Sequence, residues 1–382
     1  MHDYFRTMER QPVTTQAVAE AKGRQPWIYN AAVDGLFVLL PPFLALAVVM
    51  ALPGYFRPDA DLSPAAWVVL VLGVDVAHVY STLYRTYFDP DTFRRQKGLL
   101  LTLPLLGWMA GVLLYSVDGL LFWRVLAYVA VFHFIRQQYG FLRIYSRGEP
   151  QPALFARIDT VAVYMAALYP IVFWHLHPGR RFEWFVPGDF LQFRSAGLAT
   201  AATAAYGLTL AAYAAKEVVL VVRQRRVNVP RNLLVAGTFV SWYFGIVHYN
   251  GDLIFTTLNV VSHGIPYMAL VWVYGRKKYH DAPAASGSRL RKRVFSNGGV
   301  ALFLLIVLGL AFLEEGFWDA LVWHDHEGVF SAFRALPRVT DHTLLSFLVP
   351  ALAVPQLTHY LLDGFIWKLS KDAFHWRKVT LG

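Results

Sequence analysis

The sequence predicts an all-α protein, a polytopic integral membrane helix bundle of about ten transmembrane helices. Composition is the first ground. Of 382 residues, 56% are hydrophobic and only 16% charged, where a soluble globular domain carries about 25% charged residues. The mean hydropathy is +0.40. The second ground is arrangement: apolar runs close to the roughly 20 residues that cross a bilayer recur from end to end. The third is charge. A net charge of +10 is spread as short basic clusters between those runs, which is the positive-inside pattern and not a nucleic-acid surface. No nucleic-acid partner is expected.

Residues 1–30 open the chain as a polar cytoplasmic segment. They lack the basic region, apolar core and small-residue cleavage site of a removable signal peptide. The bundle occupies 31–367. Its apolar runs lie near 31–52, 64–84, 99–117, 120–142, 158–176, 195–222, 232–251, 254–275, 297–316 and 343–367. Only the short turn Asn250-Gly251-Asp252 parts the two runs that carry His248 and His263. With ten spans, the basic clusters around Arg94, Arg143, Arg225, Arg276 and Arg291, and those of the tail, all fall on one side. Arg180-Arg181 is the main exception. This places both termini in the cytoplasm, with the protein in the inner (cell) membrane. A cytoplasmic linker near 279–296 contains the flexible stretch Ala284-Ala285-Ser286-Gly287-Ser288, and 368–382 form a cytoplasmic tail.

The chain has no cysteine. That removes disulfides, thiolate nucleophiles, cysteine-ligated zinc, iron–sulfur clusters and c-type haem. Any metal must be held by histidine, carboxylate, amide or tyrosine.

Histidines inside apolar runs are the strongest functional signal. Asp75 precedes His78 by one turn, and Asn259 precedes His263. Gln137 follows His133, Asp252 follows His248 and Asp363 follows His359. Residues three or four apart share a helix face, and polar groups in a bilayer mark functional sites. At about 1.5 Å per residue from the nearest cytoplasmic charge, His78, His133, His359 and His263 lie roughly 10, 15, 14 and 20 Å deep. They can share one layer as metal ligands. His248, about 26 Å deep, is a fifth ligand or a proton-transfer group. Asp75, Asp252 and Asp363 are ligands or groups that orient the imidazoles. Arg136 snorkels to the headgroups or clamps an anionic substrate. Pro266 and Pro355 free carbonyls beside the histidines. A separate outer set, His324, Asp325, His326 and Glu327 with His175 and His177, reads as solvated loop.

The stretch Thr358-His359-Tyr360-Leu361-Leu362-Asp363-Gly364-Phe365-Ile366-Trp367 resembles a His-Tyr-x-x-Asp-Gly-x-Ile-Trp motif of uncharacterised bacterial multi-pass membrane proteins. Ser262-His263-Gly264-Ile265-Pro266-Tyr267 is similar in character. Histidines spread over several helices are also similar, in chemistry alone, to membrane di-iron hydroxylases and desaturases, whose HxxHH and HxxxH clusters are absent. The expected function is a membrane metalloenzyme that hydroxylates or desaturates a lipid or other hydrophobic substrate, served by a redox partner. The expected cofactor is a transition metal, iron first and a di-iron pair admissible, with zinc, copper and haem b open. The alternatives are a b-type haem protein, a proton-coupled transporter and a lipid acyl- or glycosyltransferase.

Overall fold

A computed structural model describes residues 25–280 and 289–367; the N-terminal residues 1–24, residues 281–288 of the linker with its stretch Ala284-Ala285-Ser286-Gly287-Ser288, and the tail 368–382 lie outside that description. The described residues are helical with no strand. In chain order the helices are α1 (Ala31–Leu39), α2 (Pro41–Ala51), α3 (Pro64–Arg85), α4 (Pro90–Val117), α5 (Gly119–Tyr145), α6 (Ala153–Leu176) and α7 (Ala196–Arg223). Then come α8 (Val229–Trp242, continued by a π-helical segment Tyr243–His248) and α9 (Asp252–Tyr279). Last are α10 (Arg289–Val294), α11 (Val300–Trp323), α12 (His342–Leu352) and α13 (Val354–Ile366).

The starts of these helices follow from local chemistry. Ser63, Asp89 and Asn228 each cap a helix through the side-chain oxygen and are followed within two residues by proline. The capping oxygen satisfies an orphan N–H, and proline fits the first turn because it has no N–H to satisfy. Asp118, Ser195 and Asp341 cap α5, α7 and α12 in the same way.

Among the described residues seven helices are long and apolar enough to cross a membrane, and nine if two bent pairs each count once: α1 with α2, bent by 54°, and α12 with α13, bent by 42°. The runs expected at 31–52 and 343–367 are therefore broken. Pro41 and Pro355 sit in the first turn of the second half in each, where proline cannot continue the preceding hydrogen-bond ladder. The run expected at 232–251 is the helix of α8, which is less apolar than the seven.

Helix α9 is the hub. In its apolar window 72% of residues are buried, against 11% in α4 and 17% in α7, which leaves those two for lipid. Around α9 pack α1, α2, α3 and α8, while α13 lies against α3, α4 and α5. Ion pairs tie the helix ends. Arg231 of α8 reaches Asp159 of α6 at 3.2 Å, Glu149 at 3.3 Å and Glu217 of α7 at 2.5 Å, and Lys216 joins Asp159 and Glu217. Lys278 of α9 grips Asp89 at 2.6 Å. Arg180 breaks the charge pattern for a structural reason: it donates to the carbonyls of Ile246 and Tyr249, where α8 ends.

Arg231 is fully buried, and removing one partner of a buried ion pair costs about 3–5 kcal/mol. Arg231→Met should therefore lower the unfolding midpoint in detergent sharply, while Arg223→Met, on an exposed position, should not. Equal midpoints would show that the network does not carry this stability.

Candidate metal centre

The centre forms where α3, α5, α9 and α13 cross. Helix α3 runs as a π-helix over Val68–Val76 and resumes α-helical geometry at Ala77, one residue before His78. Such widened turns are frequent at functional sites. Against it lies α9, held close by Gly264: a Cβ there would stand 2.8 Å from the Val74 carbonyl and 3.4 Å from His78 Nδ1.

His78, His133, His263 and His359 converge in the contact these helices make. One ring nitrogen of each lies within 4.8 Å of all the others, and all four residues are buried. The Nε2 atoms of His133 and His263 are 3.0 Å apart, those of His263 and His78 3.2 Å, and those of His359 and His133 3.1 Å. Four nitrogens bound tetrahedrally to one ion at about 2.0–2.1 Å stand about 3.3–3.4 Å from one another.

Hydrogen bonds alone do not account for this packing. An imidazole nitrogen offers either one N–H or one lone pair. His263 Nε2 faces two other nitrogens, and so does His133 Nε2. At most two of the three contacts can then be hydrogen bonds. A cation at the common point would accept all four lone pairs.

The opposite edges of the rings fit that reading. His78 Nδ1 faces the Val74 carbonyl at 3.2 Å and Asp75 Oδ1 at 3.7 Å. His359 Nδ1 stands 2.6 Å from Thr82 Oγ1, which is 2.9 Å from the Tyr267 hydroxyl; Tyr267 in turn donates to Asp363 Oδ1 at 2.7 Å. A chain of donors running from His359 to a carboxylate leaves the His359 Nε2 lone pair free for the centre. Trp367 Nε1 also donates to Asp363 at 3.2 Å. The other oxygen, Asp363 Oδ2, lies 3.4 Å from His133 Nδ1, without the alignment of a closed hydrogen bond. His263 Nδ1 has no partner, and its ring stacks on Phe134 at 3.5 Å. Gln137 donates to the His263 carbonyl at 3.0 Å.

Two expected site residues fall elsewhere. His248 packs its ring on Phe244 and Tyr249, and Asp252 stands near Glu183 and Asp61. The chain breaks between α8 and α9, and Asp252 opens α9, so about 16 Å of helix separates it from His263. The amide of Asn259 bonds within its own helix, to the Phe255 carbonyl, and not to His263. Arg136 donates to the Tyr164 hydroxyl at 2.9 Å and lies over the Tyr139 ring, away from the centre. The outer histidines do not converge: His326 lies tilted against Trp67, His324 faces Glu327, and His175 and His177 bond backbone carbonyls. Thr82 and Tyr267 are the residues that sequence reasoning missed. Each follows a ligand histidine by four, the same signal that marked Asp363.

Substituting Gly264 by alanine should force α3 and α9 apart, because the clash is with backbone and not a flexible tip. Overpacking of this kind costs about 1–3 kcal/mol. Thermal unfolding of purified Gly264→Ala should show the loss, and an unchanged midpoint would mean that the two helices are not held this closely. No family model, curated protein or solved structure matches the chain.

Proposed function

We propose that the chain is an integral membrane metalloenzyme, with one transition-metal ion on His78, His133, His263 and His359, that oxidises a hydrophobic substrate taken from the bilayer. The convergence of four buried Nε2 atoms on one point is the observation that carries this reading. Imidazole ligands suit iron, copper, zinc and nickel, and iron is the ion that fits the proposed oxidation. When bound, the metal supplies the redox chemistry that activates dioxygen.

The residues of the chain do the rest. The four imidazoles hold the ion. Thr82, Tyr267 and Asp363 fix the ring of His359, and Phe134 covers one face of His263. The apolar core around α9 excludes bulk water. Four donors hold a single ion; a two-metal centre needs more ligands than meet here. The haem alternative is a poorer fit, because nitrogens 3.0–3.2 Å apart leave no slot for a macrocycle between two of them. Basic clusters between the apolar helices support a cell-membrane location with cytoplasmic termini, and a redox partner would dock on that side.

Protein purified from metal-replete cells should contain about one transition-metal ion per chain, and His263→Ala only traces, by elemental mass spectrometry. Trace metal in the unsubstituted protein would sink the proposal.

Removing a group that orients a metal ligand weakens binding by about 10–100-fold. Chelator competition should show that loss for Asp363→Asn, and no change for His248→Ala or Asp252→Asn. A loss shared by all three would point to general unfolding.

A further inference from the structure

Beside the four histidines lies a second group of intramembrane acids. Asp75 of α3 and Glu314 and Glu315 of α11 are within electrostatic reach of one another. Tyr360, whose ring centre is 5.0 Å from that of His133, faces both Asp75 and Glu314. The compartment therefore abuts the metal centre directly.

Glu314 is the unusual member. It is only 6% exposed, and neither carboxylate oxygen accepts a hydrogen bond. The Tyr80 hydroxyl and the Trp318 ring nitrogen approach it without closing one of normal geometry. Among the described residues no lysine or arginine pairs with Asp75, Glu314 or Glu315. Intramembrane ionisable groups pair with one another or with backbone groups and mark substrate or ion pathways. Asp75, by contrast, has a side chain 35% exposed although it sits well inside a membrane helix.

A small inorganic ion does not fit. The four histidines are the one described group whose donor atoms converge closely enough for that. A larger cation can bridge carboxylates set further apart. Tyr80, Trp318 and Tyr360 stand beside these acids, and aromatic side chains suit a cationic head as well.

We propose that this acidic compartment receives the protonated amine head of an amphiphilic substrate and sets its adjoining carbons beside the metal centre. The substrate class rests on the catalytic reading of the four histidines, but binding of the amine head does not require the metal.

The test is equilibrium binding of radiolabelled dodecylamine to the detergent-solubilised full chain. Saturable binding is expected, displaced by unlabelled dodecylamine and not by dodecanol. Glu314→Gln should weaken it by more than about tenfold, as loss of a buried charge partner does, and Asp75→Asn should weaken it too. His263→Ala, which dismantles the metal site, should bind the amine within about twofold of the unsubstituted protein. That result upholds the amine site even if the metal proposal fails. Absence of saturable binding, equal displacement by dodecanol, or unchanged affinity in a folded Glu314→Gln would each overturn it.

Discussion

Four imidazole nitrogens are held at one point inside an apolar bundle, and the rest of the architecture answers to that constraint. Lone pairs brought this close repel unless something between them accepts them. The helices that carry them must therefore be locked by other contacts. The locks lie one helical turn beyond each histidine. Thr82, four after His78, bonds His359 and Tyr267. Gln137, four after His133, bonds the His263 carbonyl. Tyr267, four after His263, bonds Asp363, which is itself four after His359. Each partner reaches across to another helix, so α3, α5, α9 and α13 are clamped in a closed set around the nitrogens.

The irregular parts of the fold serve the same end. A uniform α-helix would carry α3 past α9 at ordinary separation. The π-helical run before His78 and the bare Cα of Gly264 bring the two backbones together. The 42° break between α12 and α13 turns the last helix inward, so that His359 and Asp363 point at the core. Strong ion pairs are kept away from the centre, at helix ends such as those of α6 to α8.

Much of this was written legibly in the sequence. Helix class and apolar runs follow from composition and periodicity, and counting depth from the basic clusters put His78, His133, His263 and His359 in one layer, which is where they meet. The same count left His248 deepest, and it lies outside the centre. The pattern that failed was His248 with Asp252. Spacing at i, i+4 implies a shared face only within one helix, and the chain breaks between these two residues. Breaks at Leu40 and Ala353 were hidden for the opposite reason, since apolar composition continues through a bend. Thr82 was hidden because a threonine or serine hydroxyl in a membrane helix commonly bonds its own backbone, as Thr257 and Ser262 do, and Tyr267 because a tyrosine in an apolar run reads as packing or as part of an interfacial belt.

The placement of the carboxylates follows from charge. A divalent ion on four neutral imidazoles keeps its full charge, and in a low-dielectric interior an uncompensated charge is costly. Carboxylates bound directly would cancel it but would replace imidazoles in the ligand set. The chain instead keeps carboxylates one layer out: Asp363 beside His133 and His359, and Asp75 beside His78. From there they would offset a bound ion through the rings while fixing ring orientation. Only His263 lacks such a neighbour, and it has a phenyl ring stacked on its face instead. The centre is thus lopsided, with its carboxyl groups on the side of α3 and α13. A cationic or polarised group approaching the centre would meet Tyr360 and Asp75 on that side and the Phe134 ring stacked on His263 on the other.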